Sequence, residues 1–138
     1  MIQEQKDLLL KDLCARLSYS VKGLVTFNGN PFMTQHHIED RTIDGELYDR
    51  FAKFQDSWYD NVTIKPYLFP LSSMTEEQKK EYDSIIYHNV ELHWEKYYDV
   101  IDVDWYEELH DFYNKNHLDY RGLIPMGLAN DATGLNIY

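Results

Sequence analysis

The chain has 138 residues, a length that suits one domain able to bury roughly two-thirds of the surface of its unfolded chain. Its formal net charge of −11 at pH 7 repels phosphates and anionic lipids, so direct binding to nucleic acid or to a membrane surface is not expected. The one cysteine, Cys14, allows no internal disulfide, and the N-terminus lacks the pattern of a signal peptide. Together with the absence of a long apolar run, these features predict a cytoplasmic protein without a membrane segment.

The first predicted element is a helix from Gln3 to Leu17. Leu9 and Leu13 recur on one face of this helix, and Cys14 lies beside them in the pattern. We therefore expect the thiol to be a buried small hydrophobe. The charged residues, Asp12 among them, fall mainly outside the leucine face and are expected to point to solvent.

Two strands joined by a hairpin are predicted next. Residues 19–27 alternate loosely between polar and β-branched or aromatic side chains, and the Asn-Gly-Asn at 28–30 tolerates the positive φ of a tight turn. The return strand is predicted at 32–38 and a turn at 40–45. Residues 39–61 are ambiguous between a short helix and an irregular excursion, and a β signal returns at 62–65.

A stiff connector is predicted at 65–77, where Pro66 and Pro70 fix φ and favour extended backbone in the residues before them. Thr75 and Gln78 form a capping-box pattern that predicts the start of a helix at this point, and Ser73 with Glu76 offers the same pattern two residues earlier. The connector separates a β-rich half, at about 18–71, from a helical half, at about 73–128, within a single domain covering 1–138.

Three helices are predicted in the helical half. The first runs from Glu76 to about Asn89. The second carries an apolar stripe at positions 105, 109, 112 and 113. A last short helix is predicted from Tyr120 to Met126, capped by Asp119 and ended by Gly127, although Pro125 removes a hydrogen bond there. The predicted fold class is α+β: an N-terminal helix, a small antiparallel sheet or open barrel, then C-terminal helices.

The acidic residues are unevenly distributed. The segment 76–111 holds twelve acids against three lysines, a net charge of −9, whereas the remaining twelve acids face ten bases, a net charge of −2. A solvated helical face is the favoured explanation of this pattern, and a surface for a basic partner is the alternative.

No catalytic or metal-binding motif is present in the sequence. The six histidines lack the spacing that lets two side chains of one helix or strand hold an ion, and no Gly-x-Ser-x-Gly elbow or phosphate-cradling glycine loop occurs. The acids near 99–108 are what any acidic helix start contains. We therefore predict no catalytic residue, no metal and no cofactor.

Three stretches of the chain resemble a known family. They are LLLKDLCARL at 8–17, KPYLFPLSSMTEE at 65–77, and a C-terminal set made of Asp104-Trp105, DYRGLI at 119–124 and GLA at 127–129. The family is an uncharacterised one of small proteins, frequent in gut Bacteroides-type bacteria and their phages or mobile elements. The resemblance implies a cytoplasmic accessory protein encoded by a phage or mobile element. It carries no known activity, so it assigns no role to any residue.

The favoured hypothesis is a non-enzymatic protein–protein interaction module with a basic protein partner. An acidic nucleic-acid mimic that inhibits a host DNA- or RNA-binding protein and a small enzyme with an unrecognised site are the alternatives. The predicted binding residues are aromatic side chains with one arginine as anchor: Trp94, Tyr97, Tyr98, Tyr120, Arg121, Tyr67 and Phe69. For Arg121 the alternative is a structural salt bridge. For Tyr67 and Phe69 it is a purely architectural role, which burial of both side chains would favour.

Overall fold

The computed structural model describes residues 2–28, 37–53, 61–95 and 103–138. The helices are α1 (Gln3–Arg16), α2 (Gly45–Lys53), α3 (Glu76–Glu95) and α4 (Val103–Lys115). The strands are β1 (Lys22–Asn28), β2 (His37–Thr42), β3 (Asn61–Pro70), β4 (Leu118–Asp119) and β5 (Asn130–Asp131). The α+β class is confirmed, with an N-terminal helix, a small sheet and C-terminal helices in that order. None of the described helices is long and apolar enough to cross a bilayer.

The sheet is mixed rather than antiparallel. β1 pairs antiparallel with β2 on one side and with β3 on the other, so that Val25 lies opposite both Glu39 and Ile64. The last four residues of β3 pair in parallel with β4 and β5. The predicted antiparallel arrangement therefore holds for the first three strands only, because β3 takes two short parallel partners from the C-terminal part of the chain.

One face of the sheet carries most of the apolar core. Residues with odd numbers in β1 and even numbers in β3 share this face, and helices α1 and α2 supply the leucines and the phenylalanine that pack against it. The fully or nearly buried members of this first cluster are Leu9, Leu13, Val21, Val25, Ile43, Leu47, Phe51, Val62, Ile64, Leu68, Leu123, Leu128 and Ala129.

A second, smaller cluster lies between α3 and α4. Ile85 of α3, Phe112 of α4 and Leu118 of β4 are its buried members, and Phe69 and Tyr82 are among the half-buried side chains around them. The predicted apolar stripe of α4 is thus confirmed where the structure describes its side chains. The predicted helix start is confirmed as well, because Gln78 N–H donates to the Thr75 hydroxyl (3.2 Å) and Thr75 N–H donates to the Gln78 amide oxygen (2.9 Å).

The first part of the predicted connector, 65–70, is instead the second half of β3, and a single 3-10 turn at Leu71–Ser73 follows it before α3. Pro66 lies in the strand opposite Gly23, where an added Cβ would sit 3.1 Å from the Lys65 carbonyl oxygen. Since proline has no N–H, the β1–β3 ladder ends at this pair. Beyond this pair, the phenol of Tyr138 bridges the two strands in place of a direct backbone hydrogen bond. Lys22 N–H of β1 donates to the Tyr138 hydroxyl (2.8 Å), and this hydroxyl donates to the Tyr67 carbonyl of β3 (2.8 Å).

Several local predictions are corrected by the structure. β2 continues through Thr42, where a turn was expected, because its backbone pairs with β1 as far as Lys22. Asp12 is fully buried and Cys14 is exposed, the reverse of the expectation for both. The hairpin turn and most of the predicted return strand, at 29–36, lie outside the described residues.

The last predicted helix is also wrong. Residues 123–127 form a turn, in which the carboxylate of Asp119 accepts hydrogen bonds from Leu123 N–H (2.8 Å) and Ile124 N–H (2.9 Å). Gly127 has a φ of +76°, which ends the turn. The cap and the stop were read correctly, but Pro125 between them prevents the backbone from continuing as a helix.

Replacing Tyr138 with phenylalanine tests whether its hydroxyl continues the ladder. Tyr138→Phe keeps the ring but leaves Lys22 N–H and the Tyr67 carbonyl without this partner. We expect the free energy of unfolding to fall by about 1–2 kcal/mol. Urea denaturation measures the change. Tyr87→Phe, at a tyrosine that is 66% exposed, is the control and should change stability by less than about 0.5 kcal/mol; an equal loss in both variants would contradict the assignment.

Candidate functional site

Four of the seven predicted binding side chains lie in the described part of the structure. Trp94 belongs to α3, but its side chain is not described, and Tyr97 and Tyr98 lie outside the described residues. Tyr67 is 8% exposed, and its hydroxyl donates to the carboxylate of Asp40 at 2.6 Å. Phe69 is half-buried in the second cluster. These two side chains of β3 are packed into the domain and are not presented on a stiff exposed backbone.

Arg121 belongs to a network centred on a buried ion pair of α1. Asp12 and Arg16, both 0% exposed, contact each other through Oδ2 and Nε at 2.9 Å. Arg16 Nη2 donates to the Leu118 carbonyl at 2.5 Å, and Arg121 Nε donates to Asp12 Oδ1 at 3.2 Å. The Arg121 side chain is 16% exposed. Its guanidinium therefore lies in a structural salt bridge, with little surface left for an outside ligand.

Tyr120 is enclosed by cations and rings. The guanidinium carbons of Arg121 and Arg16 lie 4.7 and 5.5 Å from the centre of its ring. The rings of Tyr113 and His110 stack on it with centroids at 4.9 and 5.3 Å. Burial raises the pKa of Tyr113 to about 12, so this phenol stays protonated at neutral pH. Tyr120 thus joins α1, α4 and the segment after β4 into one packed unit.

Three buried polar atoms near this unit have no hydrogen-bond partner among the described residues: Arg16 Nη1, Asn114 Oδ1 and His117 Nδ1. His117 has a φ of 55° and stacks on Tyr138 with ring centroids 3.6 Å apart. Burial, together with the positive charges of Arg16 and Lys22, lowers the pKa of His117 to about 4. This imidazole is therefore neutral at pH 7.

A cleft of about 210 Å³ opens beside the pairing of β1 with β3. β1 contributes Leu24 and Thr26, and β3 contributes Thr63, Ile64 and Lys65. Leu9 of α1, with Gly127 and Leu128 of the C-terminal turn, completes the lining. The lining is mostly apolar, with one ionisable side chain, that of Lys65.

The acidic surface predicted for the helical half is described in part. α3 and α4 run antiparallel, since the Gln78 amide donates to Asn116 Oδ1 at 3.2 Å, while the ring of Tyr82, one turn later, contacts the ring of Phe112 in a tilted arrangement. On one side of the pair, Lys115 of α4 forms an ion pair with Glu81 of α3. By helical spacing, Glu77 lies one turn before Glu81 on α3, and Asp111 and Glu108 lie one and two turns before Lys115 on α4; these four carboxylates are all exposed.

Catalytic groups do not converge in the described part of the chain. The cleft contains neither His117 nor Arg121, and no group of three His, Cys, Asp or Glu side chains in the described segments is placed to hold a metal ion. No family model, curated protein or solved structure matches the chain. Functional inference therefore rests on the acidic surface.

One feature that was not predicted, the buried ion pair of α1, does have a signal in the sequence. Asp12 and Arg16 are four residues apart and flank Leu13 and Leu9 on the helix, so their position beside the apolar stripe is readable from spacing. The cleft had no such signal, because it depends on the register of β1 with β3 and on the turn at Gly127.

Removing the buried carboxylate tests the network. In Asp12→Ala, Arg16 remains as an uncompensated buried charge, so we expect unfolding to become easier by about 3–5 kcal/mol. Asp7→Ala removes an exposed carboxylate from the same helix and should cost less than about 0.5 kcal/mol. Chemical denaturation measures both. A double replacement, Asp12→Leu with Arg16→Met, should lower the free energy of unfolding by less than Asp12→Ala alone, because it leaves no unpaired charge at these two positions. A larger loss in the double variant would contradict the assignment.

The lowered pKa of His117 predicts a stability that depends on pH. The unfolded chain takes up a proton near the ordinary histidine pKa of 6.5, whereas the folded chain does so only near 4. The contribution of this neutral imidazole is therefore complete above pH 6.5 and is lost as the pH falls from 6.5 towards 4. Asparagine tolerates the positive φ of this position, so the variant His117→Asn removes the titrating imidazole without a backbone change.

Urea unfolding at pH 7 and pH 4.5 should show wild type losing roughly 1–2 kcal/mol more than His117→Asn, after allowance for partial solvent screening of the ring. The other histidines and the carboxylates are the same in both proteins, so their contributions to the pH dependence of the unfolding free energy cancel in this difference. Parallel pH profiles for the two proteins would contradict the prediction.

Proposed function

We propose that this protein is a non-enzymatic protein-binding domain that takes a basic partner on the acidic side of the α3/α4 pair. The observation that carries the proposal is the Glu81–Lys115 ion pair between the two helices, which brings together stripes that hold four exposed carboxylates. Such an arrangement attracts positively charged partners and repels anionic ones.

The spacing of the acids supports a shared surface. Glu77 and Glu81 are four residues apart on α3, and Glu108 and Asp111 are three apart on α4, so each pair lies along one stripe of its helix. The Glu81–Lys115 ion pair places the two stripes next to each other. Within this surface one cation faces four anions, which leaves a local excess of negative charge available to lysine or arginine side chains.

Two exposed aromatic side chains lie on the same two helices. Tyr87 of α3 is 66% exposed and Tyr106 of α4 is 43% exposed. Tyrosine gives a large contact area at a low cost in conformational entropy, and it is enriched at protein interfaces. The described aromatic candidates for binding on these helices are thus Tyr87 and Tyr106, whereas Tyr67, Phe69 and Tyr120 are packed within the domain.

A nucleic-acid mimic is supported less well. A mimic needs uninterrupted rows of carboxylates that imitate a phosphate backbone, whereas Lys115 occupies the middle of this surface and Asp111 accepts a hydrogen bond from the Tyr19 hydroxyl at 3.1 Å. A protein surface with a few lysines or arginines fits the mixed pattern better.

The test is charge reversal on the proposed surface. Wild type and Glu77→Lys/Glu108→Lys are used as baits in lysate of the native host, and the proteins retained by wild type are purified and titrated by calorimetry. The reversed surface repels a basic partner, so its dissociation constant should rise roughly tenfold or more. Binding by wild type should also weaken between low salt and ~0.5 M salt, because exposed charges are then screened.

The matched control is Glu46→Lys/Asp49→Lys, which makes the same charge change on exposed positions of α2. It should bind within about twofold of wild type. The proposal fails if wild type retains no partner and elutes as a lone monomer, or if both double variants lose binding equally.

A further inference from the structure

We propose that Arg16, Asn114 and His117 hold one internal water molecule between α1, the end of α4 and the turn that leads into β4. The partners of this water are Arg16 Nη1, Asn114 Oδ1 and His117 Nδ1, which are buried and have no hydrogen-bond partner among the described residues. The site lies inside the domain and is separate from the acidic surface of α3 and α4.

All three side chains border one short segment, 114–118. His117 N–H donates to the Asn114 carbonyl at 3.2 Å, so both side chains leave the same turn at the end of α4. Arg16 Nη2 donates to the Leu118 carbonyl at 2.5 Å. Because the guanidinium is a rigid planar fork, Nη1 lies beside the same segment.

The imidazole of His117 is held in place by its backbone and by its ring. The residue has a φ of 55°, and its carbonyl accepts from Phe69 N–H at 2.8 Å. The ring stacks on Tyr138 with centroids 3.6 Å apart. These contacts leave the ring little freedom to turn Nδ1 towards another partner.

Solvent from outside does not satisfy these atoms, because Arg16 is 0% and Asn114 is 5% exposed. Asp12 accepts from Arg16 Nε and the Leu118 carbonyl accepts from Nη2, which leaves Nη1 as the donor without a partner. Buried polar atoms in folded proteins are almost always hydrogen-bonded, since desolvation without a partner is costly. An internal water commonly provides the missing bonds and makes about three of them.

The balance of donors and acceptors selects water over an ion. Arg16 Nη1 can only donate and Asn114 Oδ1 can only accept, while a neutral imidazole accepts at Nδ1 when its proton is on Nε2. A water that accepts one hydrogen bond and donates two matches this set. An anion has no proton to donate to the asparagine oxygen, and a cation is repelled by the guanidinium.

The neutral state that this arrangement needs agrees with the surroundings of His117. Burial, with the positive charges of Arg16 and Lys22, lowers the pKa of this imidazole to about 4. At pH 7 the ring therefore carries one proton, and the water site places that proton on Nε2.

The test looks for the water itself in the unmodified protein. Oxygen-17 relaxation dispersion counts water molecules that stay bound for longer than the tumbling time of the protein, and nuclear Overhauser effects from water to amide protons locate them. A chain of 138 residues is expected to hold about five buried waters, so the count alone does not identify this one. We expect Overhauser effects from a long-lived water at the amides of 116–118.

A matched pair of variants assigns the water to the site. Asn114→Leu keeps a side chain of similar size but removes the acceptor, so the oxygen-17 count should fall by one and the Overhauser effects at 116–118 should disappear. Gln3→Leu removes an exposed side-chain amide from α1 and should change neither signal.

The tautomer of His117 gives a readout that needs no variant. Nitrogen-15 spectra of the imidazole in wild type at pH 7 should show a bare Nδ1 and a protonated Nε2. Absence of a long-lived water at 116–118, unchanged signals in folded Asn114→Leu, or a proton on Nδ1 would each overturn the proposal. Saturable shifts of the Arg16 side chain on adding chloride at constant ionic strength would also overturn it, because they would identify an anion site.

Discussion

The buried ion pair between Asp12 and Arg16 is the interaction on which the assembly of this domain depends. α1 packs in the first apolar cluster, yet its arginine donates to the carbonyl of Leu118, which belongs to the second. Apolar contacts can slide, whereas a guanidinium fixed between a carboxylate and a carbonyl has a defined direction. Arg121 adds a second bond to the same carboxylate. One acid thereby sets the position of α1 relative to β4 and to the turn after it.

β3 completes the connection between the two clusters. Its first six residues pair with β1, and its last four pair in parallel with β4 and β5. Leu68 lies in the first cluster, while its neighbour Phe69 packs in the second, as the alternation of side chains along a strand requires. Pro66 marks the change of partner, because it cannot donate to the ladder of β1. The two clusters are therefore held together by one strand and one ion pair.

Features with a local cause were predictable from the sequence. The start of α3 follows from Thr75 and Gln78, and the apolar stripe of α4 follows from spacing alone. Asp12 was misplaced because periodicity alone treats every carboxylate as exposed, and its burial depends on Arg121 and Leu118, which lie far away in the chain. β4 and β5 have two residues each, too few for any pattern, and form only because β3 offers free backbone groups. The cleft follows from the same non-local pairing, so no single segment predicts it.

The net charge of the chain constrains the kind of partner that the acidic surface of α3 and α4 can take. A macromolecular partner covers a large area and senses the summed field of many exposed carboxylates, so a basic partner is favoured and polyanions are disfavoured. Composition therefore favours a basic protein over nucleic acid as the partner that we propose. The exposed carboxylates that we propose for this partner, Glu77 and Glu108 among them, lie on the helical half of the domain.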